Sequence, residues 1–134
     1  MTNILFYVID TDDPAEQVSY AVQLALQTLA LGRYLHIHTD SAESTAQILQ
    51  QLASKLSSGD ERLSIDHQGE PGGDRQVLLN LSSEVPHFFS SYESALEVIC
   101  SDSKARESGR EKYRYYQSRG YPLRHNKVSP QLAL

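Results

Sequence analysis

Short apolar runs rich in β-branched and aromatic residues alternate along this chain with segments of helical periodicity, and that alternation limits the folds open to it. Ile4-Leu5-Phe6-Tyr7-Val8-Ile9 is apolar throughout, as expected of a strand buried on both faces of a parallel sheet. Asp10-Thr11-Asp12-Asp13-Pro14 interrupts it. Asp13 suits a helix N-cap, with Pro14 at the first helical position and Glu16 placed for a capping box. Val18, Ala21, Val22, Ala25, Leu26 and Leu29 then recur at helical spacing, and Gly32 ends the helix. Tyr34 to Thr39 reads as a second strand. Asp40 or Ser41 caps a second helix with Ala46, Leu49, Leu52, Ala53 and Leu56 inward, closed by Ser57-Ser58-Gly59-Asp60. Leu63-Ser64-Ile65 reads as a brief edge strand, and Gln68 to Arg75, with its three glycines and one proline, as a loop. Gln76 to Leu81 and Ala95 to Cys100 are two further strands, separated by a loop or short helical turn over Val85 to Tyr92. Ser101, Asp102 or Ser103 caps a last helix running to about Arg119. Strands joined by crossover helices predict a three-layer α/β/α sandwich around a mainly parallel sheet. We read one domain over residues 1–123 and a tail over 124–134, since 134 residues suit a single core.

No apolar run is long enough to span a bilayer, and Met1-Thr2-Asn3-Ile4 lacks the basic start of a secretion signal. Cys100, the one cysteine, has no partner for an internal disulfide. A soluble cytoplasmic protein is the expectation.

Open parallel sheets bind ligands at the carboxyl ends of their strands. A nucleotide-binding chain would put a glycine-rich turn after the first strand; here that turn holds three carboxylates and no glycine. The fold is thus expected to be Rossmann-like without a nucleotide-binding loop. Gly69-Glu70-Pro71-Gly72-Gly73 precedes a strand instead of a helix, and no Gly-x-Ser-x-Gly elbow is present. Asp10, Asp12 and Asp13 could in principle hold magnesium, but we read them as a helix cap in a solvated loop. His36 and His38 share one strand face and lack an evident third ligand, so we read them as partly buried strand histidines. Cys100 reads as a small buried hydrophobe. No cofactor and no metal is expected.

Charge singles out the C-terminal part. Residues 1–103 hold four basic and fifteen acidic side chains, or −11, whereas residues 104–127 hold eight and two, or +6. The overall −5 argues against indiscriminate DNA binding, while the basic patch suits an anionic ligand. On a helix Arg106, Arg110 and Arg114 align at four-residue steps, with Tyr113 at the edge of the stripe. Side chains leaning towards the helix N-terminus would form a shallow pocket with cationic walls and an aromatic floor. Gly120 allows a left-handed turn that returns Tyr121 and Leu123 over the helix. Such a pocket fits a ligand with carboxylates and a bulky apolar group. Single-stranded nucleic acid, stacked on Tyr113, Tyr115 or Tyr116, is the alternative; a small metal-dependent enzyme using the three aspartates is a third reading. Tyr116 is expected to pack on the sheet.

These residues resemble the chi subunit family of bacterial DNA polymerase III holoenzyme. The similarity is sharpest in Gly109-Arg110-Glu111-Lys112-Tyr113-Arg114-Tyr115-Tyr116 and Arg119-Gly120-Tyr121-Pro122-Leu123. Phe6-Tyr7-Val8-Ile9 and Val77-Leu78-Leu79-Asn80-Leu81 are similar to the family's opening and central strands. The resemblance implies a non-catalytic subunit of the clamp-loader complex in DNA replication. Such subunits bridge the psi subunit to single-stranded-DNA-binding protein, whose C-terminal tail is acidic and ends in Pro-Phe. It implies tail contacts by Arg110, Tyr113 and Arg114, a phenylalanine pocket lined by Ile99 and Tyr121, and Lys112 and Arg119 as further candidates beside Arg106. Nucleic acid would be engaged mainly indirectly. Many relatives carry a tryptophan after the second helix and a Phe-x-Pro-His motif in the region that contributes to psi binding. This chain has no tryptophan and reads Ser64-Ile65-Asp66-His67, keeping the histidine. The same region is tied to a helicase partner in some relatives.

Overall fold

Six strands pair in the order β3-β2-β4-β5-β1-β6, every pair parallel, in a computed structural model that describes residues 1–56, 61–69 and 71–130. Along the chain these are β1 (Asn3–Ile9), β2 (Leu35–His38), β3 (Leu63–Asp66), β4 (Val77–Asn80), β5 (Ser94–Ile99) and β6 (Leu123–Val128). Helices α1 (Pro14–Ala30), α2 (Ala42–Ala53) and α3 (Ser103–Ser118) and a 3-10 turn at Phe89–Ser91 complete the elements. Side chains alternate across the sheet, as pleating requires. Leu5, Tyr7 and Ile9 of β1 join the layer under α1 and α2, with Ala25, Leu29, Ile48 and Leu52. Ile4, Phe6 and Val8 point the other way, towards Phe88, Phe89, Tyr92 and Tyr116. The expected α/β/α sandwich is therefore present.

The caps show where local chemistry fixes each helix. Asp13 accepts the Ala15 amide at 2.9 Å, but Glu16 does not return to the Asp13 amide as a capping box would. Thr11 takes that place: its hydroxyl accepts the Asp13 N–H and donates to Glu16 Oε1 at 2.7 Å. Ser41 caps α2, while Asp40 accepts the backbone and hydroxyl of Ser83. The Thr39–Thr45 hydroxyl bond helps set the phase of α2. Its inner stripe is consequently Ile48 and Leu52, with Leu56 beyond, whereas Leu49 is 47% exposed and Ala46 and Ala53 lie outward. The predicted closing segment 57–60 lies outside the described residues, as do Glu70 of the glycine-rich loop and residues 131–134.

A sixth strand stands where the sequence suggested a tail from residue 124. Gly120, at φ 79°, makes the left-handed turn after α3. The Tyr121 amide donates to the Tyr116 carbonyl and the Gly120 amide to that of Gln117, the paired bonds of a Schellman stop. The chain then runs beside β1, with Ile4 opposite Leu123 and Val8 opposite Lys127. Leu-Arg-His-Asn-Lys-Val has no buried run because an edge strand is held by backbone pairing on one side and can stay polar.

Candidate functional site

Helix α3 begins at Asp102, whose carboxylate accepts the Ala105 amide at 3.1 Å. Its inward stripe is Gly109, Lys112 and Tyr116, at steps of three and four. An ideal Cβ on Gly109 would lie 3.1 Å from Ile99 Cγ2, so glycine lets the helix backbone settle close on β5. One turn later the contact is polar. Glu97 of β5 is wholly buried, and Lys112 Nζ, 5% exposed as a residue, donates to its Oε1 at 2.9 Å and to the Ser82 carbonyl at 2.6 Å. The other carboxylate oxygen accepts the Tyr116 hydroxyl at 2.6 Å and the Asn80 amide at 2.9 Å. The ion pair is thus hydrogen-bonded on both members, as charges in a low-dielectric interior must be. Burial and the adjacent Glu97 push the Tyr116 phenol far above its ordinary pKa.

This inward stripe turns Arg106, Arg110, Tyr113 and Arg114 to one flank of α3. They border a groove of about 710 Å³. Its floor is Phe6, Val8 and Ile99, and its far side is His125 and Lys127 of β6. Strand register orders these residues in rows. Val8 of β1 pairs with Ile99 on one side and Lys127 on the other, and Phe6 pairs with His125. Tyr113 reaches over the second row, its ring 5.5 Å from Phe6 and 6.4 Å from His125. The three groove arginines are exposed.

The structure therefore brings together Arg106, Arg110, Tyr113, Arg114 and Ile99. It places three other candidates elsewhere. Lys112 is committed to Glu97 in the core and cannot reach the groove. Arg119 stacks over the Tyr115 ring at 4.4 Å. Tyr121 does come back over the helix, but it packs 4.9 Å from the Phe89 ring and does not line the groove. Sequence reasoning missed His125 and Lys127, since without β6 nothing fixed the face on which they lie. Lys127's place within the basic segment was the available signal.

The remaining candidates serve other ends. Asp13 is the α1 cap, and among the described residues no group of three or more His, Cys, Asp or Glu side chains is placed to hold a metal ion. His36 Nδ1 bonds the Ser64 hydroxyl at 2.7 Å, and its ring meets Phe88 and His38. Burial, reinforced by His38, lowers the His36 pKa to about 4; His38 is lowered as well, chiefly by burial. Cys100 is buried, and burial with surrounding carboxylates raises its thiol pKa to about 11, the profile of an inert thiol. Among the described residues no helix is long and apolar enough to cross a membrane.

Two comparisons bear on this arrangement. Residues 54–124, which span β3 to the start of β6, match the model of the family described as DNA polymerase III chi subunit, HolC. Over 142 aligned positions the chain is 29% identical to DNA polymerase III subunit chi of Pseudomonas aeruginosa, covering 96% of this chain and 98% of that protein.

Proposed function

Because the chain belongs to the DNA polymerase III chi subunit family, we propose that it is a non-catalytic accessory subunit linking the clamp-loader complex to single-stranded-DNA-binding protein. The α3–β6 groove takes that protein's acidic C-terminal tail. One observation carries this reading: Arg106, Arg110, Arg114 and Lys127 border an apolar floor, and none of them forms an ion pair with a described residue. Guanidinium groups bind carboxylates through paired N–H donors. Phe6, Val8, Ile99 and the Tyr113 ring offer a phenylalanine side chain an apolar seat. The groove volume falls in the range of small-ligand sites, roughly 300–1,000 Å³, which suits the end of a peptide better than a folded domain. The psi subunit is the second proposed partner; of the family's motif in the region that contributes to psi binding, this chain keeps His67 alone.

The test is fluorescence anisotropy with an acidic peptide ending in Pro-Phe. Arg110→Ala or Arg114→Ala should weaken binding by about 1.5 to 3 kcal/mol, the worth of hydrogen bonds to a charged group. Added salt should weaken it as well. Unchanged affinity in both variants rejects the site. Tight binding of a single-stranded oligonucleotide, with no response to the peptide, would favour direct nucleic-acid contact instead.

A further inference from the structure

Resting on the tail-binding reading, we propose that β6 forms a second cationic bank of the groove, with Lys127 taking a side-chain carboxylate of the bound acidic segment. The register supports this placement. Ile99, Val8 and Lys127 form one row across β5, β1 and β6, so Lys127 projects from the sheet face that carries α3. Two strand spacings, roughly 10 Å, separate the backbones at Ile99 and Lys127. Gly109 of α3 rests on Ile99 at one end of this row, and Arg106 and Arg110 flank it on the same helix. Cations thus border the apolar floor from both sides, at a separation that admits one extended chain.

An extended chain directs successive side chains to opposite sides. A single bank of arginines could satisfy a terminal carboxylate and one side of such a segment. Acidic groups on the other side would face β6, where Lys127 is exposed and has no ion pair to a described residue. Beside it, His125 stands edge-on to Tyr113 and closes the neighbouring row. On this account Lys127 is a specificity-determining residue that reads acidity upstream of the apolar peptide end.

Two acetylated peptides test it: one with aspartates before a Pro-Phe end, and its twin with asparagines in their place. Anisotropy titrations use the full chain as wild type, Lys127→Ala, Lys127→Arg and Arg110→Ala. Lys127→Ala should weaken the aspartate peptide roughly fivefold, at the upper end for an exposed ion pair, and leave the asparagine twin unchanged. Lys127→Arg should restore binding. If Arg110→Ala weakens the aspartate peptide while Lys127→Ala does not, the second bank is refuted and the tail reading stands. Equal losses on both peptides in Lys127→Ala would refute the side-chain carboxylate contact. If neither variant alters either peptide, the tail reading itself fails, and this inference with it.

Discussion

Replacing Lys112 with methionine would remove the cation opposite Glu97 while preserving most of the side-chain volume. Glu97 has no exposed surface, and its partners would shrink to the Tyr116 hydroxyl and the Asn80 amide. The Ser82 carbonyl would also lose the ammonium that now donates to it. Breaking a buried pair by deleting one member costs about 3–5 kcal/mol, because the remaining charge stays desolvated. Against a total stability of about 5–15 kcal/mol this is a large share. For a chain of this length it lowers Tm by on the order of 10 °C. Urea unfolding followed by circular dichroism measures it directly. Adding Glu97→Gln to Lys112→Met removes the stranded charge but keeps an acceptor for Tyr116, and should recover at least about 1 kcal/mol. A Lys112→Met protein within about 1 kcal/mol of wild type would refute the reasoning: Glu97 would then have found solvent or a proton at little cost.

Two further outcomes follow from the same geometry. Gly109→Val puts a branched side chain where even a Cβ is 3.1 Å from Ile99, so it should cost about 1–3 kcal/mol in urea unfolding and alter the groove floor. Acid titration should expose His36: its folded pKa of about 4 lies below the ordinary 6.5, so the unfolded chain binds the extra proton between those values. Stability is complete above pH 6.5 and falls as pH drops towards 4, by up to about 3 kcal/mol from this residue; His36→Gln should flatten that slope, and an unchanged slope would assign it elsewhere.

Elements buried on both faces were legible because burial writes itself into composition. Ile4 to Ile9 and Gln76 to Leu81 could hardly be anything but inner parallel strands, and the pairing confirms both. The capping residue Asp13 was legible because few side chains can accept a first-turn amide, whereas for α3 the sequence offered Ser101, Asp102 or Ser103 and the structure selects Asp102. Strand β6 was hidden for the opposite reason: backbone pairing to β1 holds it, and backbone pairing leaves no mark on side-chain pattern. The arginine stripe was readable from four-residue spacing, whereas Lys112 was a candidate only through the family resemblance. Glu97, inside an otherwise apolar strand, was the clue that a cation had to turn inward to meet it. Tyr121 was expected beside Ile99, yet the Schellman turn carries it to Phe89 instead.

An apolar seam lets a helix roll through several degrees at little cost, since greasy contacts have no preferred direction. Helix α3 meets the sheet differently: its lysine and tyrosine converge on a single carboxylate with short, directional bonds. Rolling the helix would break them together. The azimuth at which α3 presents its outward arginines is therefore set before any ligand arrives, so that a docking chain has only their side-chain rotamers to order.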